Sequence, residues 1–432
     1  MKKEIIAHST KIVSDGYCIS KQKDKKVLLI KGALPNETLR CRVLKETKSY
    51  ILSEVKEVLE PSIHRKNPLC ENAYLCGGCT LGYTTYEYQL KLKRDIVLDN
   101  LKRIAKLDIS DIDVIPSKKS LGYRNRIRLR FKTGAGIGYF SYGTNRFVPI
   151  EKCLLARAPI RRILPYIFLF FRQYKPKGIE GQIELISPPK DNRVFCTIIS
   201  DKKEVAFKLL KELVTDKLVV GGTILVNKNF FSYGYTTLKW PYNIEFSNYQ
   251  KDFFIWTKPG CFSQINWQQN LKVINTIVNE AENIGCNKIV DLYAGFGNIS
   301  IPISFVCNNI IAVEQNPLAI KALRENVKRL GILNIDIMLN KVERCVNGIL
   351  TTKKDVKIII LDPPRTGAKE VIKSIKDNIS SHIFYLSCSP VTFSRDIRIL
   401  LDYNYKIKKI IAYDFFPQTH HVELLINLTN RH

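Results

Sequence analysis

From residue 261 onward the chain alternates strand, Gly-rich turn and helix, and this rhythm constrains the fold more than any other feature. Lys288 to Leu292, Ile310 to Val313, Lys357 to Leu361 and Ile383 to Ser387 read as short apolar strands, with helical spacing over 267–282 and 317–330. Strands linked by helices run parallel, so an α/β doubly wound, Rossmann-like sheet is expected. Two later runs, Tyr405 to Tyr413 and His421 to Leu428, are close in sequence and are expected to pair antiparallel at its edge.

The upstream text differs. Residues 1–60 hold strand-like runs at Lys26 to Ile30, Glu37 to Val43 and Tyr50 to Val58, punctuated by Gly16, Gly32 and Pro35. Short strands at that density suggest a small β-barrel of the oligonucleotide-binding kind. A cysteine-rich stretch spans Pro61 to Gly82, and residues 86–105 have helical spacing with a basic outer face. In Tyr123 to Val148, Ile127, Leu129 and Phe131 alternate with Arg126, Arg128 and Arg130, a half-buried strand with an arginine face. That face reads either as a solvated edge or as a phosphate-contacting surface, with Tyr139, Phe140 and Tyr142 available to stack on unpaired bases. Residues 160–255 are mixed α and β. The expected units are therefore 1–60, an α+β central segment 61–260, and 261–432.

Lys and Arg number 68 against 40 acidic residues, a net charge of +28. Such a surplus captures polyanions, so RNA is the expected partner, unless the charge serves only solubility. No apolar stretch is long enough to span a bilayer, and MKKEIIAHST lacks the apolar core of a signal peptide, so a cytoplasmic protein without a membrane partner is expected. In that compartment the 12 cysteines read as metal ligands, reactive thiols or core residues, not disulfides. A monomer is expected.

The first strand and turn of the α/β half read VDLYAGFGNIS, with Gly295 and Gly297 allowing a tight turn beside a ligand. Glu314 ends the next strand about twenty residues on, where this fold places a ribose-binding acid; a carboxylate near a helix N-cap is the plainer reading. Together these favour an adenosine-type cofactor. The next strand ends in LDPPRTG, placing Asp362 in the ligand crevice. DPPR resembles the catalytic loop of S-adenosylmethionine-dependent methyltransferases, but Arg365 stands where the N-methyltransferases carry an aromatic, which argues for a different target atom. Upstream, Asn266 and Gln269 form a candidate capping box, leaving Gln264 free to face a cofactor.

Cys388, in YLSCSPVT, ends the following strand and faces the same crevice. An inert core cysteine is one reading. A nucleophile whose pKa falls beside Arg365 is the other. A thiolate beside a methyl donor suits one problem: carbon 5 of uracil becomes nucleophilic once sulfur adds to carbon 6. The carbon 5 proton must then leave. Glu423, inside the apolar strand of FFPQTHHVELL, is the candidate base, with His420 or His421 as alternatives and a salt-bridged glutamate as the structural reading.

Residues 261–432 resemble the RNA 5-methyluridine (uracil-C5) methyltransferases through FSQIN, DLYAGFGNIS, DPPRTG, SCSP with SRDIRIL, and DFFPQTHHVE. The resemblance implies Cys388 as nucleophile, Glu423 as base, and cofactor contacts from Gln264, Tyr293, Asn298, Glu314 and Asp362, with S-adenosyl-L-methionine as donor. This chain has SCSP where SCNP is commoner, and Thr366 where a small residue is frequent.

Cys70, Cys76 and Cys79 have C-x5-C-x2-C spacing, with Gly77 and Gly78 letting the loop wrap closely, and Cys153 is the nearest later cysteine. Four thiolates hold zinc or an iron–sulfur cluster, and spacing does not choose. The stretch resembles the cluster-bearing members of the same family, which implies 4Fe-4S on Cys70, Cys76, Cys79 and Cys153. GALPNETLRCRV resembles the TRAM RNA-binding barrel found there. In carrying both a barrel and a cluster the chain resembles the family's ribosomal RNA enzymes more than its transfer RNA enzymes, which implies 23S ribosomal RNA as substrate, with transfer RNA as the alternative. A radical enzyme fits less well, because its C-x3-C-x2-C loop leaves one iron open. A non-catalytic RNA-binding protein would leave the motifs idle.

Overall fold

The computed structural model describes residues 3–21, 26–141, 146–285, 287–352, 355–375 and 382–430, and every count below is of those residues. Tyr142, one of the three candidate stacking aromatics, lies outside them.

Strands β1 (Glu4–His8), β2 (Lys11–Ile12), β3 (Cys18–Lys21), β4 (Val27–Lys31), β5 (Thr38–Glu46) and β6 (Tyr50–Glu60) form one sheet in the order β1-β5-β6-β4-β3-β2. Its two edge strands are joined by only Ser9 and Thr10, so the sheet must curl until its edges meet. Register shifts along the β5–β6 pair supply the bending. Buried Ser9 holds the corner, its hydroxyl donating to the Leu34 and Glu37 carbonyls. Asn36 takes φ 64°, a left-handed turn that asparagine tolerates.

Helix α1 (Tyr86–Asn100) starts at Thr85, whose hydroxyl accepts from Tyr88 N–H, and continues as a π-helical turn over Leu101–Ala105. Strand β7 (Asp113–Ile115) follows. A seven-stranded sheet in the order β10-β9-β8-β11-β12-β13-β14 comprises β8 (Arg126–Lys132), β9 (Gly136–Phe140), β10 (Phe147–Pro149), β11 (Glu180–Ile186), β12 (Phe195–Ile199), β13 (Gly221–Val226) and β14 (Asn229–Gly234). Helices α2 (Ala158–Gln173) and α3 (Lys203–Thr215) share one core with it. A hairpin, β15 (Leu238–Glu245) and β16 (Gln250–Thr257), leads into the last sheet.

That sheet contains β17 (Lys288–Leu292), β18 (Asn309–Glu314), β19 (Ile335–Leu339), β20 (Ile358–Leu361), β21 (His382–Ser387), β22 (Tyr405–Tyr413) and β23 (Glu423–Asn430). Its helices are α4 (Trp267–Ile284), α5 (Ser300–Ile303), α6 (Pro317–Leu330), α7 (Val342–Thr352), α8 (Lys369–Ile375) and α9 (Pro390–Asp402). The order is β19-β18-β17-β20-β21-β23-β22-β7, with β17, β18, β19, β20 and β21 mutually parallel. Apolar clusters cover both faces, as a parallel sheet requires. The expected antiparallel pair is present as β22 and β23, but it is not the edge. β7 pairs parallel with β22 beyond it, so a strand from the upstream segment completes the α/β sheet.

Candidate active site

The strand order reverses between β17 and β20, and ligands bind where such a sheet reverses, beyond the strand ends. The registers Leu292↔Val313, Leu292↔Leu361 and Leu361↔Tyr385 align the ends of β18, β17, β20 and β21 along one edge. Glu314, Tyr293, Asp362 and Cys388 stand there in that order. Strand β23 runs the other way and therefore begins on this edge, with Glu423 as its first residue. Continuing the antiparallel register past Ser387↔Leu424 sets Cys388 against Glu423.

Local structure explains the position of Cys388. Pro390 does not end the preceding element; it opens α9 at its first turn, and Ser389 is the N-cap, its hydroxyl accepting from Thr392 N–H. Serine and asparagine cap about equally, so serine in SCSP keeps the capping function. The thiol thus sits half-buried between a strand end and a helix start. The Arg365 loop lies beside it. Asp396, fully buried in the SRDIRIL stretch, accepts from Ala368 N–H and the Tyr385 hydroxyl, each at 2.8 Å, and so locks the loop in place. Arg365 does favour the Cys388 thiolate, as expected, but burial and the Glu423 and Asp362 carboxylates outweigh it and push the thiol up to about 11. Burial also holds the Glu423 carboxyl well above its ordinary range. Asp362 rises to about 7, through burial and the nearby Asp291 carboxylate.

His420 and His421 have the opposite character. Burial and neighbouring cations hold them at about 4 and about 2, so both are neutral near pH 7 and weak as bases. The Nδ1 of His420 is hydrogen-bonded to the Thr80 hydroxyl at 2.8 Å, one residue beyond Cys79.

The remaining candidates divide. Tyr293 takes φ 69° and donates from its hydroxyl to Glu343 at 2.7 Å. Gly295 has φ 58°, and a Cβ there would meet nothing within 4 Å, so it borders open space that a ligand can fill. Gly297 is needed for packing instead, because a Cβ would lie 2.5 Å from Leu323 Cδ1. Both Glu314 oxygens accept backbone N–H groups, from Gly295 at 3.0 Å and Asn316 at 2.7 Å, which ties the glycine turn to the N-cap of α6. Asn298 forms a reciprocal amide pair with Asn270, each bond 2.9 Å, and also accepts from the Tyr242 hydroxyl. Its amide is largely engaged within the protein. Asn266 caps α4 by accepting from Gln269 N–H, but the reciprocal half of the box is absent. The Gln269 amide donates instead to the Ile115 and Asp414 carbonyls. Gln264 is buried immediately before this cap. Open space at Gly295 and an acid at Asp362 raised by burial and a like charge fit a cationic adenosyl ligand.

Cys70, Cys76, Cys79 and Cys153 line one cavity with Arg124, Tyr139 and Gln418. A Cβ at Gly78 would lie 3.3 Å from Cys76 Sγ, a close contact that glycine avoids. Burial raises Cys76 to about 11 and Cys79 to about 12, and each feels the other cysteines. Among the described residues no three His, Cys, Asp or Glu side chains form a group that could hold a metal ion.

The arginine face of β8 is partly committed internally. Arg126 and Arg128 both pair with Glu184 on β11, at 3.6 and 2.9 Å. Arg126 also covers the exposed Phe262 ring at 4.7 Å, and Arg130 covers Phe140 at 5.2 Å. Of the candidate stacking rings, Phe140 is exposed and Tyr139 faces the cysteine cavity.

Sequence reasoning missed Lys93 and Asp414, an ion pair with both side chains fully buried. The signal was available: Gln89, Lys93 and Val97 repeat every four residues on the buried stripe of α1, so Lys93 is not on its outer face.

Residues 85–431 match the family model described as tRNA (Uracil-5-)-methyltransferase. An "Uncharacterized RNA methyltransferase" of Aquifex aeolicus is 29% identical, covering 96% of this chain and 95% of its own. The 23S rRNA (uracil(1939)-C(5))-methyltransferase RlmD of Shewanella sp. is 28% identical over 94% of this chain and 91% of its own. The fold matches the crystal structure of Pyrococcus abyssi tRNA (uracil-54, C5)-methyltransferase in complex with S-adenosyl-L-homocysteine, with a TM-score of 0.75, 22% identity, and coverage of 98% and 100%. With the family model spanning most of its length, and Glu314, Tyr293, Asp362, Cys388 and Glu423 gathered on one sheet edge, the chain belongs to the tRNA (uracil-5-)-methyltransferase family and is an RNA uracil-C5 methyltransferase.

Proposed function

We propose that this enzyme methylates carbon 5 of a uridine in 23S ribosomal RNA, with Cys388 as nucleophile and Glu423 as base. The observation that carries the mechanism is the register that sets these two side chains opposite each other beside Asp362. S-adenosylmethionine, when bound, supplies a methyl group on a sulfonium cation. Positive charge beside Asp362 and Cys388 favours both anions, so the half-buried thiol is held protonated at rest and becomes the nucleophilic thiolate when the site fills. The Cys388 sulfur bonds to carbon 6, and the electron pair this releases makes carbon 5 the atom that takes the methyl. Glu423 then removes the carbon 5 proton. The carbon 5–hydrogen pair re-forms the ring double bond and expels the thiolate. A carboxylate held high by burial suits that proton transfer near neutrality. The target base must leave its stack to reach the edge.

The relatives named as 23S rRNA enzymes match across nearly the full chain, which supports the ribosomal substrate; a transfer RNA uridine is the alternative. The curled N-terminal sheet serves as the RNA-binding TRAM barrel, and the four cavity cysteines hold a 4Fe-4S cluster with a structural or RNA-positioning role. The test is transfer of labelled methyl from S-adenosylmethionine to RNA, with mass-spectrometric mapping of 5-methyluridine in 23S and transfer RNA from a deletion strain. Loss of a 23S site supports the proposal. Loss confined to transfer RNA transfers the assignment, and no loss with no labelling overturns it.

A further inference from the structure

The segment 414–422 joins β22 to β23 and delivers Glu423. It has no regular structure and is mostly buried, so its backbone oxygens need partners from elsewhere. Five consecutive carbonyls find them. Asp414 O accepts from Gln269 at 3.1 Å, Phe415 O from Asn266 at 3.3 Å, and Phe416 O from Lys93 Nζ at 2.9 Å. Pro417 O accepts from the Tyr123 hydroxyl at 3.0 Å, and Gln418 O from Leu81 N–H at 2.9 Å. Gln89 adds a further clasp, accepting from Gln418 N–H at 2.9 Å.

Gln89 makes both of its bonds to the segment with Gln418 alone, whereas Lys93 reaches two residues of the segment. It donates to the Phe416 carbonyl and also to the Asp414 carboxylate, whose second oxygen accepts from the Tyr86 hydroxyl at 2.7 Å. Asp414 directly follows Tyr413, the residue that pairs with Glu423 across β22 and β23. A fully buried ion pair adds little net stability over an apolar pair of the same volume, but its bonds fix a geometry. That combination is expected of a device that sets position.

Resting on the reading of Glu423 as base, we infer that Lys93 and Asp414 are positioning residues: they fix the start of β23 so that the Glu423 carboxylate meets the carbon 5 proton. They act after sulfur addition and methyl transfer, on proton removal and release.

The test compares four proteins: wild type, Glu423→Gln, the double variant Lys93→Met/Asp414→Leu, which removes both charges and approximates their volume, and a second double variant that keeps a polar group at 414. Single-turnover methyl transfer, denaturation-resistant RNA–protein adduct, steady-state turnover and melting temperature are measured for each. The double variant is expected to keep its melting temperature and single-turnover transfer, to accumulate adduct, and to lose turnover about a hundredfold, the scale of a roughly 1 Å misplacement. Lys93→Met/Asp414→Asn, which keeps an acceptor for Tyr86, guards against a folding failure and is expected to accumulate adduct as well. Unchanged turnover overturns the inference, as does a parallel fall in transfer and turnover without adduct in both folded variants. Adduct in Glu423→Gln with none in either double variant overturns the inference alone. No adduct in Glu423→Gln overturns the base assignment and the inference with it.

Discussion

Cys388 and Glu423 oppose each other because the sheet changes direction between their strands. β21 has a parallel neighbour on one side, β20, and an antiparallel neighbour on the other, β23. A wholly parallel sheet would send the start of the next strand to the far edge. The reversal brings a strand end and a strand start together, one carrying sulfur and the other a carboxylate. Cys388→Ala is expected to abolish methyl transfer while leaving RNA affinity within about twofold, as filter binding and labelled-methyl assays would measure. Retained turnover in the alanine variant would exclude a covalent route.

Arg365 is expected to act through the thiolate. It is the cation that lowers the Cys388 pKa against burial and two carboxylates. In Arg365→Met that pKa rises further, so less thiolate is present at neutral pH. Adduct formation should slow by about tenfold per unit of added shift and recover as pH is raised. A variant that is slow but has an unshifted pH profile points to Arg365 holding the RNA instead.

Asp362 gives a pH signature in donor binding. Its folded pKa of about 7 lies above the ordinary value, so below pH 7 the carboxyl is mostly neutral and a sulfonium gains little from it. As pH rises through 7 the carboxylate forms. The affinity ratio of S-adenosylmethionine to S-adenosylhomocysteine, whose sulfur is neutral, should rise, by up to about tenfold per pH unit in the titrating range. A flat ratio by calorimetry would place the sulfonium away from Asp362.

The N-terminal sheet touches the catalytic loop at Gly16. That residue has φ 73°, and a Cβ there would lie 2.6 Å from His420 Nδ1. Gly16→Ala should destabilise the protein by about 1–3 kcal/mol through overpacking and backbone strain. It should also disturb the His420–Thr80 bond, read as a shift of the His420 resonances. Unmoved resonances would mean that the sheet is not seated on this loop.

The cysteine cavity predicts a composition. Protein prepared without oxygen should carry iron and inorganic sulfide in about equal amounts, and Cys153→Ser should lose both together. Zinc alone would rule out the cluster.

The sequence was legible where local rules decide. The strand Lys288–Leu292 and the helix Pro317–Leu330 are bounded as their apolar runs indicate. Glu314, Asp362 and Cys388 share an edge because each sits at a strand terminus, which pattern alone reveals; Glu423, expected inside a strand running from His421, instead opens that strand and so reaches the same edge. What escaped was set by distant partners. The stretch 160–255 gains its order from β8 pairing with β11, and β12 running parallel to β13, across long chain separations. Arg126 and Arg128 looked free for phosphate because Glu184, their partner, lies more than fifty residues downstream. Cys388 looked activated because only its cation was visible in the text.

β7 has a consequence for how the molecule can be divided. A chain beginning at residue 261 would lose this strand and α1 with it, baring the hydrogen-bonding edge of β22 and removing Lys93, the ion-pair partner of Asp414. The catalytic half is therefore not a portable cassette. Its last strands are completed by chain that precedes it, so a boundary drawn at the cofactor motifs cuts through one eight-stranded sheet.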